Sequence, residues 1–183
     1  MPKKELPKEA SVEAKEATER VLKARFGRKV EVDAGKPLKR AISRFRILDA
    51  SDDVPTSVIA KQHKGDRGRR MFNEWAGLQL LNECYDPSTP APMPMFYGGD
   101  CEESLIVIED LGDDDRLDDV VMGDDVDRTH RAVIDFARCM GQVQACTVGK
   151  RVRFEDWSWT YFDTDGSTRL LFSGSAKLCT WDS

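Results

Sequence analysis

Apolar residues recur along the first part of this chain in one helical pattern and several strand-like patterns. Alanine and valine return every three or four positions over residues 8–26, which predicts an amphipathic helix that stops at Gly27. Five strands are predicted, at residues 29–33, 41–47, 57–61, 95–97 and 104–108. Turns are predicted at residues 34–38 and at Gly98-Gly99. This order predicts an α+β fold with a five-stranded antiparallel sheet.

Three further helices are predicted, at residues 69–82, 116–122 and 128–147, and Asp127 is the candidate N-cap of the last. The last helix carries an apolar stripe made of Val133, Phe136, Ala137, Met140 and Val143. A stripe of this size needs a cover. We therefore expect either that residues 148–183 fold back over it, or that the 128–147 helix mediates self-association.

Composition narrows the classes of protein to consider. The chain has 183 residues, 40% of them hydrophobic and 33% charged, with a net charge of −5. No apolar run approaches the ~20 residues needed to span a bilayer, and the N-terminus lacks the apolar core of a secretory signal, so a soluble, cytoplasmic protein without a membrane partner is expected. Five basic residues lie between positions 61 and 70, but no aromatic residues interleave them and the chain is acidic, so a nucleic-acid partner is not expected.

Cysteine and histidine usage argues against a metal site. Five cysteines are present, without a Cys-x-x-Cys spacing, together with two histidines, which is poor material for zinc. We expect the cysteines to be free thiols. The acidic run at residues 112–119 lacks the glycine and the closing glutamate of a calcium loop, so a solvated loop and first helical turn is the better interpretation.

The residues with the clearest chemical meaning are Lys61 and Glu74. Lys61 ends a strand, and Glu74 follows thirteen residues later on a helix. A lysine on a rigid strand can neutralise the α- and β-phosphates of a nucleotide, and a glutamate on a facing helix can hold that lysine through a charge-assisted hydrogen bond. We expect the two side chains to lie within about 4 Å. Taken singly, each could equally be a solvated surface group.

Two neighbouring features would complete a site for an adenine nucleotide. Ile59 lies two positions before Lys61 and therefore on the same strand face, where it could pack against the adenine ring. The backbone of Glu109, Asp110 and Leu111 follows the last strand and could bind the edge of the base. A glycine-rich phosphate loop is not evident, because the first hairpin offers Gly35 alone, followed by residues 36–39.

These features together resemble the aminoglycoside phosphotransferase and choline kinase-like group of the protein kinase-like superfamily, over residues 29–147. The resemblance is carried by Val58-Ile59-Ala60-Lys61, by Glu74 with Leu78-Gln79-Leu80-Leu81, by Pro92-Met93-Pro94, by Ile106-Val107-Ile108-Glu109-Asp110-Leu111-Gly112, and by Arg138 to Ala145 with Gln144 at the place of the family's histidine. It implies a helical extension at 1–28, an ATP-binding small lobe with its hinge at 29–112, and a partial large lobe at 113–183. It also implies ATP and magnesium as cofactors, and phosphorylation of a hydroxyl on a small-molecule acceptor.

The family's catalytic motif, His-Gly-Asp followed by asparagine, has no counterpart in this sequence. The only asparagines, Asn73 and Asn82, precede the hinge, and neither His63 nor His130 is followed by Gly-Asp. No catalytic residue and no magnesium ligand can therefore be named. We expect the ATP-binding portion of a phosphotransferase that stops before its catalytic loop. The alternatives are a non-catalytic nucleotide- or partner-binding module of the same fold, or an unrelated α+β interaction protein.

Overall fold

The computed structural model describes residues 7–63, 68–84, 93–113 and 115–150, with the backbone alone for 68–72. In chain order its elements are α1 (Val12–Phe26), β1 (Lys36–Lys39), β2 (Ile42–Arg46), β3 (Ser57–Gln62), α2 (Gly68–Cys84), β4 (Phe96–Asp100), β5 (Leu105–Glu109), α3 (Leu117–Val121) and α4 (Val126–Thr147). Within these ranges no helix is both long enough and apolar enough to cross a membrane.

The five strands form one sheet in the order β1-β2-β3-β5-β4, and every neighbouring pair is antiparallel. The predicted α+β class and the five-stranded antiparallel sheet are therefore confirmed. Residues that lie opposite each other in such a sheet share a face. Arg44 on β2 lies opposite Ile59 on β3, and Ile59 lies opposite Ile108 on β5. This row crosses the face on which the candidate site lies.

The first predicted strand is wrong. Residues 29–33 form no strand in the sheet, and only Val32 makes an isolated bridge, to Ile47. The segment predicted as a turn, residues 34–38, instead contains most of β1. Val30 and Val32 are buried while Glu31 between them is exposed, because the two valines pack into the core that α1 covers. An alternating pattern reports which side chains are buried, and it does not report whether the backbone is paired.

The turn predicted at Gly98-Gly99 is also wrong, because both glycines lie inside β4. A Cβ atom on Gly99 would stand 2.3 Å from the ring of Trp75, and Gly98 has a φ of +135°. Glycine is used here so that the α2 side chain Trp75 can approach the strand closely. The chain turns instead at residues 101–104.

One face of the sheet is covered by α1. This helix begins after Ser11, whose hydroxyl accepts a hydrogen bond from the Ala14 N–H at 3.2 Å, and it ends at Gly27 in the left-handed conformation, as predicted. The buried side chains of this layer include Ala17, Val21 and Leu22 of α1 with Phe45, Val58, Leu105 and Val107 of the sheet. Arg20 of α1 also binds the buried carboxylate of Asp100 on β4, at 2.6 Å.

The opposite face is covered only in part, by α2. A smaller buried cluster joins this helix to β4 and β5, and its members are Trp75, Phe96, Cys101, Ile106 and Ile108. Trp75 and Phe96 meet edge to face, with ring centroids 5.8 Å apart. Because α2 lies over β4 and β5, the part of this face that belongs to β1, β2 and β3 is left open.

Helix α4 begins at Val126, and its N-cap is Asp125 rather than the predicted Asp127. The Asp125 carboxylate accepts a hydrogen bond from the Arg128 N–H at 2.9 Å, which satisfies one of the free donors of the first turn. The predicted apolar stripe is largely exposed: Val133, Phe136 and Met140 are 45%, 52% and 42% exposed. The expectation that the tail covers this stripe falls mainly on residues 151–183, outside the described residues, and self-association stays a prediction.

Candidate functional site

The open part of the sheet forms a cleft of about 300 Å³ together with residues 109–112, which we call the hinge. The cleft is lined by Leu38, Lys39, Ile42, Arg44, Ile59, Lys61, Pro94, Ile108 and the hinge. Its floor is apolar because Ile42, Ile59 and Ile108 all point to this face in the sheet register. Lys61 belongs to the same floor, and the cations Lys39 and Arg44 also line the cleft. The cleft is thus apolar along its length and positively charged at one side.

Lys61 is held by Glu74, with Nζ and Oε1 2.5 Å apart. The prediction that these side chains face each other is confirmed. β3 directs Lys61 towards the face that α2 partly covers, and α2 brings Glu74 down onto it. The side chains are 27% and 33% exposed, so the pair borders water and remains accessible to a ligand. His63 also lies close, with its Nε2 3.8 Å from Glu74 Oε2.

The four residues of the hinge all border the cleft. The Glu109 side chain is used locally, since its carboxylate accepts a hydrogen bond from the Met95 N–H at 3.0 Å. Within the described parts of the chain, the backbone N–H and C=O of Leu111 form no hydrogen bond. The Leu111 side chain is 64% exposed. A free donor and a free acceptor beside an apolar cleft are what the edge of a planar heterocycle requires.

The side chain of Asp110, whose backbone is predicted to bind the edge of the base, is tied to the protein. Its side chain is only 5% exposed, and Arg44 Nε lies 2.7 Å from Oδ2. Ser57 Oγ donates to Oδ2 at 2.7 Å, and the Gly112 N–H donates to Oδ1 at 3.0 Å. The carboxylate of Asp110 therefore joins the hinge to β2 and β3.

Arg44 reaches one residue further, to Asp113, with Nη1 and Oδ2 2.8 Å apart. The hydrogen bond from Arg44 lowers the pKa of the Asp113 carboxyl below its ordinary value. The same hydrogen bond, together with the charge of Asp110, raises the pKa of the Arg44 guanidinium. Arg44 thus donates charge-assisted hydrogen bonds to Asp110 within the hinge and to Asp113, the residue that follows the hinge.

The lowered pKa of Asp113 predicts a pH-dependent contribution to stability. A carboxyl whose pKa is depressed in the folded state stabilises the fold above its unfolded pKa of about 3.9, and that stabilisation is lost as the pH falls through the folded pKa. Wild type should therefore be more stable than Asp113→Asn at neutral pH, and the difference should vanish once the pH has fallen through the depressed folded pKa. Urea denaturation across this range measures it, and exposed Asp124→Asn is the matched control. A difference that does not change with pH would contradict the ion pair.

Five of the six residues predicted to bind a nucleotide line the cleft, namely Ile59, Lys61, Glu109, Asp110 and Leu111, and Glu74 joins them through Lys61. Sequence reasoning did not assign the further lining residues, which are Leu38, Lys39, Ile42, Arg44, Pro94, Ile108 and Gly112. The sequence could have indicated Ile42 and Arg44, because they lie two positions apart on β2 and therefore on the same face of the sheet. Nothing in the sequence indicates that Pro94 lies beside the hinge.

Metal chemistry finds no support in the described residues, where no three His, Cys, Asp or Glu side chains are grouped so that they could hold an ion. The thiols differ from expectation. Cys139 and Cys146 are free thiols, whereas Cys101 is disulfide-bonded, so the prediction that all five are free thiols is wrong. Cysteine pairing depends on which residues the fold brings together, and spacing along the chain does not reveal it.

Comparison of this chain with models of protein families, with curated proteins and with solved structures finds no match in any of the three.

Proposed function

We propose that this chain is the nucleotide-binding portion of a phosphotransferase of kinase-like fold and that it binds ATP in the cleft. The observation that carries the proposal is the 2.5 Å pair of Lys61 and Glu74 at the side of an apolar cleft. An ion pair at a surface contributes little to stability, about 0–1 kcal/mol. Its placement beside a cleft is better explained by a ligand that carries concentrated negative charge.

The apolar part of the cleft suits the base. Ile42, Ile59 and Ile108 supply flat aliphatic surface from three neighbouring strands. The adenine ring would lie against them with its polar edge towards the hinge, where the backbone of Leu111 offers one donor and one acceptor. Burying the ring would remove apolar surface from water, and the two hydrogen bonds would orient it.

The charged side of the cleft suits the phosphates. Lys61 would contact the α- and β-phosphates, while Glu74 limits the number of conformations that the lysine can adopt. Lys39 lies opposite Ile42, and Ile42 lies opposite Lys61, so the two lysines belong to one row across the sheet. Lys39 is exposed at the end of β1 and adds positive charge near the same ligand. No group of metal ligands lies among the described residues, so the contacts proposed here are those between the nucleotide and the protein.

Titration with nucleotide tests the proposal. Calorimetry should show that ATP and ADP bind wild type, with little dependence on magnesium, and ligand at 100 times its dissociation constant should raise the free energy of unfolding by about 2.7 kcal/mol. Lys61→Met should weaken ATP binding about tenfold, the cost of one hydrogen bond to a charged group, and should leave adenosine binding unchanged.

Lys23→Met is the matched control, because Lys23 is an exposed lysine of α1 and does not line the cleft. Absence of any response at millimolar ATP would refute the proposal. Equal losses of ATP and adenosine in Lys61→Met would show that the variant disturbs the fold rather than the phosphate contact. Transfer of the γ-phosphoryl group to an acceptor is a separate question, which ADP release in the presence of hydroxylated small molecules would answer.

A further inference from the structure

The hinge is attached to the sheet by the three side chains of Arg44, Ser57 and Asp110, which we call the clamp. Arg44 comes from β2, Ser57 from the first position of β3, and Asp110 from the hinge itself. Arg44 additionally donates from Nη2 to the Gly112 carbonyl oxygen at 3.0 Å. The clamp therefore anchors Asp110 and Gly112, the two residues that flank Leu111 in the chain.

The Asp110 carboxylate accepts three hydrogen bonds from the protein and is 5% exposed. Oδ1 accepts from Arg44 Nη2 and from the Gly112 N–H, each at 3.0 Å. Oδ2 accepts from Ser57 Oγ and lies 2.7 Å from Arg44 Nε. Three of the about four lone-pair sites of the carboxylate are therefore used within the protein, and the Arg44 guanidinium lies against it. Asp110 acts on a ligand through the hinge, and it does not act by direct contact.

We propose that Arg44 and Asp110 are positioning residues that fix the Leu111 backbone for the base of the nucleotide; this inference rests on the proposed function. The Leu111 N–H and C=O form no hydrogen bond to any residue that the structure describes, while the residues on either side are anchored. A hinge fixed in this way binds the base without first losing conformational freedom. The clamp thereby sets the base-dependent part of the affinity, whereas Lys61 sets the phosphate-dependent part.

Two measurements on the full chain test this division. Amide hydrogen exchange of Gly112 in the absence of ligand reports the clamp, because that N–H donates to Asp110. The ratio of the dissociation constants of ATP and inorganic triphosphate reports the base, since triphosphate can use Lys61 but has nothing to bind the hinge. A role in general stability would change both affinities together.

Arg44→Lys is the main variant, because a lysine keeps the charge but cannot bridge Asp110, Asp113 and the Gly112 carbonyl at once. We expect faster Gly112 exchange, about tenfold weaker ATP binding, and unchanged triphosphate binding. Asp110→Asn is the second variant, since it retains the shape of the side chain and avoids a buried unpaired charge. Arg46→Lys is the matched control, on the same strand and exposed.

Each outcome decides one point. Unchanged Gly112 exchange in both Arg44→Lys and Asp110→Asn overturns the clamp. An equal loss of ATP and triphosphate binding overturns the positioning role and leaves a structural one. If the wild-type protein binds no ATP, the proposed function is overturned and the positioning role with it. In that case, faster Gly112 exchange in Arg44→Lys would show that the clamp itself exists.

Discussion

Replacing Arg20 with methionine is expected to lower the free energy of unfolding by about 3 kcal/mol. Arg20 Nε and Nη2 both donate to Asp100 Oδ2, at 2.8 and 2.6 Å, and the Asp100 side chain is buried. Without the guanidinium the carboxylate would keep the hydrogen bond from the Glu103 N–H, which donates to Oδ1 at 3.1 Å. The cost falls at the lower end of the usual range because Arg20 is itself 39% exposed, so water can enter where its side chain stood.

The measurement is urea denaturation followed by circular dichroism, with Arg25→Met as the matched control on the same helix, where Arg25 is exposed. The double variant Arg20→Met/Asp100→Asn should recover much of the lost stability, because an amide at this position carries no charge to bury. If Arg20→Met were no more harmful than Arg25→Met, the pair would not anchor α1 to β4. A double variant as unstable as Arg20→Met would show instead that the loss comes from packing of the arginine stem.

Replacing Gly99 with alanine is expected to lower the free energy of unfolding by about 2 kcal/mol, in the range usual for overpacked cores. The new methyl group would stand 2.3 Å from the Trp75 ring, and Trp75 is fully buried. The ring would have to move, and with it α2. Because Glu74 is the neighbour of Trp75 on that helix, the variant should also loosen the pair with Lys61 and weaken ATP binding.

Gly77→Ala is the matched control, since Gly77 lies in α2 with nothing within 4 Å of a Cβ at that position. An alanine inside a helix should stabilise it by about 0.5–1 kcal/mol relative to glycine. In a Trp75→Leu background the Gly99→Ala substitution should cost much less, because leucine leaves room for the methyl group. Equal costs in the two backgrounds would locate the effect in the backbone of β4, and not in the contact with Trp75.

Much of the candidate site could be predicted from local sequence. Ile59 and Lys61 share a face because strand residues alternate with period two, and this parity holds in any sheet that contains the strand. Glu74 lies on a helix with a clear apolar face, so its presence near the sheet follows once the helix packs there. The distance of 2.5 Å to Lys61 required the crossing of α2 over the sheet, which the sequence does not encode locally.

The hydrophobic and turn pattern of the sequence determined the α+β class, four of the five strands, the stop of α1 at Gly27 and the positions of Lys61 and Glu74, because hydrophobic period and turn chemistry are local properties. Only the tertiary structure decided that residues 36–39 and not 29–33 supply β1, that Gly99 serves a close contact with Trp75, and that Asp110 is held by Arg44 from 66 residues away. These depend on which surfaces meet after folding. A buried valine, a glycine or an aspartate looks the same in sequence whichever partner the fold brings to it.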